Sequence, residues 1–482
     1  MRESFLRSKK QIGLLAMLLL ASAALLMATP AKKKHHLPAS GTHSRTASHS
    51  AKAKSSHGRS RSRLNDPRQR IDPVRRVTLV EEIGARLKEP AAQAISYPAA
   101  LGGFYAQLAA REQEMSSGST PAATVRVLQW GDSHTAADMF TGEMRRLIQI
   151  RFGDGGIGYS YAGHPFAGYR IIGSRRSQSS GWATQGTKFR QLGDGELGMG
   201  GLSITTERPG EWITLDAPCT TLAVQYLAQP GGGKLEFADN DALPLEIDTA
   251  AEKLGPGTFR YACPAGDHHF VLTTEDRAPV TLLGMVATRP GATWESMGIN
   301  GAEAPLLLKW NQKLFASYIE DNAPSLVVLA YGTNEAANHD WDEDSYRRTF
   351  ATLIDKIHSY VPNSSILVIG PADRSTRQRR AWRAYDGTDK IVVAQKAVCE
   401  THSCAFWDQG ERMGGFGSMQ QWVSMGWAQG DHTHFTGDGY RALADALMAD
   451  LMSGYETYKK GNQNETERTL KEATSGSTSA NP

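Results

Sequence analysis

The stretch Val125-Arg126-Val127-Leu128-Gln129-Trp130-Gly131-Asp132-Ser133-His134-Thr135 decides how the rest of the chain is read. Its first six residues are mostly apolar and rich in β formers, as in a strand covered on both faces. Gly131 breaks the run. Beyond the turn, Phe140, Met144, Leu147 and Ile148 recur at helical spacing to about Arg151. A strand that ends on a polar turn and feeds a helix is the repeating unit of a parallel sheet. The same grammar returns downstream. Residues 325–330 read as a strand ending at Tyr331-Gly332-Thr333-Asn334-Glu335, and residues 365–369 as one ending at Gly370-Pro371. Helices are expected over about 344–360 and 390–400, then a strand at 405–407, and Thr436 can cap a last helix running to about Met452.

Between about Gly168 and Pro290 the helical period disappears and short alternating runs take over, among them Trp212–Leu215, Thr221–Tyr226, His269–Thr274 and Val280–Leu283. Strands at that spacing predict an antiparallel β-sandwich of jelly-roll type, set inside the α/β domain because the sheet's strands resume after it. Its aromatic residues Trp182, Trp212, Tyr226 and Tyr261 fit either a sugar-stacking platform or the sandwich core.

Charge is divided unevenly. Residues 1–76 hold 17 Lys/Arg against 3 Asp/Glu, and residues 77–482 hold 36 against 47, so the net +3 hides an acidic body behind a basic leader. An acidic body argues against a nucleic-acid enzyme. Arg2, Arg7, Lys9 and Lys10 precede the apolar run Ile12–Ala28, which predicts a signal peptide or an N-terminal membrane anchor over residues 1–31. The remainder is then exported and periplasmic or associated with the cell envelope, possible anchoring to the inner membrane resting on residues 12–28. Residues 32–76, rich in Ser, His, Lys and Arg, read as a disordered basic linker. The expected layout is an α/β domain over 77–167 and 291–455, the inserted β module over 168–290, and a disordered polar tail over 456–482. Four cysteines suit an oxidising compartment, and the pairing Cys219–Cys263 with Cys399–Cys404 keeps each bridge within one module. No His/Cys spacing suggests zinc, and the runs Asp154-Gly155-Gly156 and Gly193-Asp194-Gly195-Glu196 lack the oxygen spacing of a calcium loop.

Three polar clusters fall at strand ends or before the last helix: Gly131-Asp132-Ser133, Gly332-Thr333-Asn334 and Asp431-x-x-His434. Open α/β sheets bind ligands at the C-terminal edge of their strands. A serine hydroxyl needs a base within hydrogen-bond reach, and the base needs an acid to hold its tautomer. One loop carrying Asp431 and His434 can present both.

In order and context these clusters resemble the SGNH (GDSL-type) hydrolase family, over about residues 120–165 and 293–455. The resemblance implies a flavodoxin-like three-layer α/β/α domain with a parallel sheet. It also implies Ser133 as nucleophile, His434 as general base and Asp431 as its orienting acid. An oxyanion hole would be formed by the Ser133 N–H, the Gly301 N–H and the Asn334 amide, with Gly298 as rival to Gly301. His134 stands where the family usually has leucine and reads as a wall residue; His432 reads as a neighbour of the site or a solvent-facing residue. The runs Gly131–Asp138, Phe152–Gly156 and Gly298–Ala302, with the inserted β module, are similar to the peptidoglycan O-acetylesterase branch, whose insert is carbohydrate-binding-like. That likeness implies a carbohydrate O-acetylesterase acting on an acetylated polysaccharide, peptidoglycan (N-acetylmuramic acid) foremost, without metal or organic cofactor. The alternatives are a polysaccharide O-acetyltransferase using the same triad and a non-catalytic envelope polysaccharide-binding protein.

Overall fold

A computed structural model describes residues 71–118, 124–186, 192–338, 340–379 and 381–477. The expected leader over 1–31 and most of the linker over 32–76 lie outside the described residues. No helix among the described residues is long and apolar enough to cross a membrane.

The strands, in chain order, are β1 (Ile95–Ser96), β2 (Thr124–Gly131), nine strands β3 to β11 between Gly158 and Thr288, β12 (Gly291–Gly298), β13 (Leu326–Ala330), β14 (Ser365–Ile369), the hairpin β15 (Ser375–Gln378) and β16 (Ala381–Ala384), and β17 (Ala405–Trp407). The helices used below are α1 (Pro73–Lys88), α2 (Gly102–Ser117), α3 (Ser133–Ala136), α4 (Phe140–Phe152), α5 (Gln312–Asn322), α6 (Glu343–Tyr360), α7 (Gly387–Thr401), α8 (Gln409–Met413), α9 (Ser418–Met425) and α10 (Gly437–Ser477).

One sheet has the order β1-β17-β14-β13-β2-β12. All its neighbours are parallel except the β1–β17 pair, which is antiparallel and two residues long. The sheet is therefore mixed, where a parallel one was expected; so short an edge strand leaves no periodicity to read. Counting only the parallel strands in chain order, their spatial order is 2-1-3-4-5. That is the flavodoxin-like winding, whose crevice opens where the order reverses, between β2 and β13.

The alternation of β13 shows how the layers form. Leu326 and Val328 face a core shared with Phe104 and Leu108 of α2, Met144 and Ile148 of α4, and Leu443 and Leu447 of α10. Val327 and Leu329 face the other core, shared with Phe315 of α5, Leu353 and Ile354 of α6, and Ile391 and Val398 of α7. Successive side chains point to opposite faces, so a strand covered twice must be apolar throughout.

The strands β3 to β11 form one antiparallel sheet dominated by β7 (Trp212–Ala228) and β10 (Gly255–Thr274), which pair along most of their length. This sheet has no separate core. Ile213, Leu215, Phe237, Phe270 and Leu272 belong to the same apolar cluster as Val327 and Leu329 of the parallel sheet. Polar ties cross the junction: the Trp130 indole donates to Met199 O (2.7 Å), the Tyr318 hydroxyl donates to Tyr226 O (2.6 Å), and Glu295 accepts from the Tyr159 N–H (2.7 Å) while paired with Arg126. The antiparallel region also starts earlier than the boundary expected at 168, since β3 at Gly158–Ser160 pairs with β11 (Val280–Thr288).

Three further expectations change. Helix α1 begins at Pro73, capped by Asp72, inside the segment read as linker. Helix α10 continues to Ser477, so the tail expected from residue 456 is helical to that point. Cys399 and Cys404 are bonded, whereas Cys219 and Cys263 lie with their sulfurs 3.7 Å apart and unbonded. Cys219 faces the β-bulge between Ala262 and Gly266, so the pair comes together on adjacent strands without the strands closing further.

Candidate active site

The turn after β2 requires glycine at its root. A Cβ on Gly131 would lie 2.1 Å from Thr135 Oγ1 and 2.8 Å from Ala330 O, so the chain can turn there only without a side chain. Asp132 then caps the short helix α3, its carboxylate accepting from the His134 N–H (2.9 Å) and its carbonyl from Thr135 and Ala136. Ser133 is the first residue of α3. Its N–H is one of the helix-start donors that no helical carbonyl can satisfy.

His434 approaches from a different part of the chain. Its Nε2 is 2.8 Å from Ser133 Oγ, across 301 residues of sequence, and its Nδ1 is 2.7 Å from Asp431 Oδ2. The other Asp431 oxygen accepts from the Thr433 and His434 N–H groups, both at 3.0 Å, which locks the Asp-x-x-His turn. Burial alone would raise the Asp431 pKa, but these hydrogen bonds and the adjacent imidazole outweigh it and hold the carboxyl below its ordinary value. An ionised Asp431 only accepts, so the proton sits on Nδ1 and the Nε2 lone pair faces the Ser133 hydroxyl. The loop is held from behind by Gln429, whose N–H donates to His434 O (2.8 Å) and whose amide donates to Phe435 O (3.0 Å). Thr436 caps α10 as expected, its hydroxyl accepting from the Gly439 N–H at 3.4 Å. The His434 side chain is 36% exposed and that of Asp431 48%, so the site opens to solvent.

Asn334, just past β13, donates through Nδ2 to Ala302 O (2.9 Å) and lies 3.4 Å from Asp132 Oδ2. The longer of these contacts is weak. Gly301 lies in the loop after β12 with φ +74° and open space where a Cβ would be; at Gly298 a Cβ would lie 2.2 Å from Ala136 N. The two rival glycines thus differ: Gly298 lets β12 pack against α3, and Gly301 supplies a left-handed turn facing open space.

The histidines next to the site are settled by burial. His134 is half-buried against Tyr440, its Nδ1 3.1 Å from the Tyr440 hydroxyl, with its ring 5.3 Å from that of His434. Burial lowers its pKa, so it stands as a neutral wall. His432 is buried rather than solvent-facing, stacked on Trp382 at 4.0 Å between ring centroids.

Two ionisable residues here were not foreseen. Glu335 is buried, with one oxygen accepting from the Ala304 N–H at 2.8 Å and the other unpartnered. Burial raises its pKa to about 8, so it is uncharged at neutral pH. Asn334 and Glu335 together therefore grip the Gly301 loop at Ala302 and Ala304. Arg374, at the root of the β15–β16 hairpin, donates to Thr333 O (2.9 Å) and lies over the Tyr385 ring. The acid directly after Asn334 was the one available signal for Glu335; Arg374 had none, because its contacts are all tertiary.

Elsewhere, Trp182 is core, Tyr226 and Tyr261 pack against it, and Trp212 alone of the four aromatics is exposed. Asp154-Gly155-Gly156 runs beside β12, Asp154 bridging Ala292 in parallel and the Gly155 N–H donating to Ala292 O. Cys219, Cys263 and His268 have potential ligand atoms within 4.8 Å of one another, but both ring nitrogens of His268 are engaged, by Asp239 and by Pro264 O.

Residues 264–442 match the model of the GDSL-like Lipase/Acylhydrolase family. A solved structure described as "Peptidoglycan O-acetylesterase in action, 5 min" is 26% identical, covering 76% of this chain and 99% of that one with a TM-score of 0.65. Family two carbohydrate esterases are more distant: that from Cellvibrio japonicus is 12% identical, covering 59% of this chain and 98% of its own at a TM-score of 0.26. One from Clostridium thermocellum is 14% identical, covering 57% and 100%, also at 0.26. No curated protein matches the chain.

The flavodoxin-like winding, with a serine–histidine–aspartate relay at its switch point, is that of a carboxylic ester hydrolase of SGNH (GDSL) type. The chain is similar to the peptidoglycan O-acetylesterase structure over nearly the whole of that chain's length.

Proposed function

We propose that this protein is an exported serine esterase that removes O-acetyl groups from a cell-envelope polysaccharide, peptidoglycan acetylated on N-acetylmuramic acid. The observation that carries the reading is the unbroken relay Ser133 Oγ, His434 Nε2, His434 Nδ1, Asp431 Oδ2, with links of 2.8 and 2.7 Å. His434 takes the Ser133 proton as Oγ attacks the acetyl carbonyl, and Asp431 stabilises the imidazolium that forms. The oxyanion is received by the Ser133 N–H, the Gly301 N–H and the second Asn334 N–H, which gives up its long contact to Asp132. Each such donor contributes about 3 kcal/mol to the transition state. Protonated by His434, the sugar hydroxyl leaves; water activated by the same imidazole then releases acetate. The antiparallel region, in this reading, is a curled jelly-roll module that walls the cleft for a glycan strand.

The test is acetate release from O-acetylated peptidoglycan by the full chain, beside Ser133→Ala. Wild type should release acetate and Ser133→Ala should be slower by about 10⁴-fold or more. Equal rates, or acetate found only on a second sugar hydroxyl, would contradict hydrolysis through Ser133.

A further inference from the structure

Between β14 and α7 the chain reads Arg374-Ser375-Thr376-Arg377-Gln378-Arg379-Arg380-Ala381-Trp382-Arg383, five arginines in ten residues and no acid. That is anomalous in a body, residues 77–482, carrying 47 acids against 36 bases. The segment forms the hairpin β15–β16, paired Ser375 to Ala384 through Gln378 to Ala381. Its root is built into the candidate active site from two sides. Arg374 holds the carbonyl of Thr333, the residue before Asn334, and the Ser375 N–H donates to His432 O (3.0 Å), two residues before His434. Trp382 stacks on His432 at 4.0 Å, fixing the second strand to the same loop. The hairpin therefore stands at the rim between the Asn334 turn and the His434 loop.

Arg377, Arg379 and Arg383 are exposed and form no ion pair among the described residues. Arg379 sits at the tip with φ +56°. Arg377 stands opposite Trp382 and Arg383 opposite Thr376, so these two project from opposite faces of the hairpin with Arg379 at its tip. The free guanidinium groups offer forked donors to carboxylates of a polymer draped over it.

We propose that Arg377, Arg379 and Arg383 form a binding site for the carboxylate groups of the polymeric substrate, holding an anionic glycan while its acetyl ester lies at Ser133. The proposal rests on the polysaccharide esterase reading and narrows it to carboxylate-bearing polymers, such as glycan strands carrying lactyl and peptide carboxyls, over neutral ones. Each exposed pair is weak alone, but several engaged at once by one chain add through effective concentration.

The test uses the full chain and its triple variant R377Q/R379Q/R383Q, both checked for an unchanged thermal midpoint. Acetate release is measured on O-acetylated peptidoglycan and on neutral acetylated xylan. The ratio of KM on the anionic polymer to KM on the neutral one should rise about ten-fold or more in the variant, with kcat little changed. Raising NaCl to about 0.5 M should raise the wild-type KM on peptidoglycan by a larger factor than that of the variant, the salt response of the shared basic leader being common to both. An unchanged ratio and an unchanged salt response would overturn the proposal. A second readout separates it from the esterase reading: co-sedimentation of the Ser133→Ala protein with insoluble peptidoglycan, with and without the three arginines. The basic residues before position 77 are common to both proteins and cancel. Loss of retention with the arginines supports the site even if no acetate is released from that polymer, whereas equal retention contradicts it even if acetate is.

Discussion

The parallel and antiparallel sheets share one apolar core, yet they constrain their residues differently. At the catalytic edge of the parallel sheet the backbone leaves no slack: the space over Gly131 is filled by Thr135 and Ala330, and Glu335 is buried with one oxygen unpartnered. In the antiparallel sheet Gly255 and Gly266 face open space, and the buried acid Asp239 shares a proton-bearing ring with His268. The antiparallel sheet has close approaches of its own, a Cβ on Gly257 meeting Tyr226 at 2.2 Å, and leaves both amide atoms of buried Gln225 unpartnered. The catalytic edge is set apart by the kind of group left unpaired there, a carboxyl whose other oxygen holds the loop after Gly301. Strain and unpaired groups of this kind gather at functional sites.

Glycine substitutions give the largest test of that contrast. Gly131→Ala must displace backbone at Ala330 or the Thr135 side chain, so it should lower stability by about 1–3 kcal/mol and remove most esterase activity. Gly255→Ala, at the start of β10, should stay within about 0.5 kcal/mol of wild type. Chemical denaturation of the two variants, read beside p-nitrophenyl acetate turnover, measures both; equal destabilisation would erase the contrast.

A smaller, pH-dependent effect is expected from Glu335. It titrates near about 8 in the fold and near its ordinary 4.5 once unfolded. Between those values the folded state keeps a proton that the unfolded state has lost, so this residue's contribution to stability falls as pH rises through the window. Glu335→Gln removes the titration and keeps an acceptor for the Ala304 N–H. The thermal midpoint of the variant relative to wild type should therefore climb from about pH 5 to about pH 8. A constant difference across that range would mean that Glu335 is ionised in the fold.

What the sequence disclosed follows from sequence distance. Ser133 was visible because its strand, turn and helix are contiguous, and Asp431 with His434 because three positions on one loop can hold acid and base together. The mostly parallel sheet followed from strands alternating with helices, whereas the flavodoxin-like winding came only with the family resemblance. Lost were the features made by chain segments far apart: the two-residue edge strand β1, the core common to both sheets, the grip of Glu335 on the Gly301 loop, and the docking of Trp382 on His432. Cys219 and Cys263 were correctly brought near each other by the module argument, but a bulge in β10 sets their spacing, and bulges carry no sequence period. Helix α10 overran its expected end because residues beyond Met452 still pack: Tyr455 is fully buried, against Phe152 and Tyr105.

The central claim is that Ser133 carries the acyl group, and trapping that intermediate tests it most directly. The full chain is mixed with p-nitrophenyl acetate, quenched in acid during the first turnover, digested and analysed by mass spectrometry. The account predicts one acetyl group, on the peptide containing Ser133, and none on that of the Ser133→Ala protein. An acetyl group on any other residue as the turnover intermediate, or undiminished hydrolysis by Ser133→Ala, would contradict it.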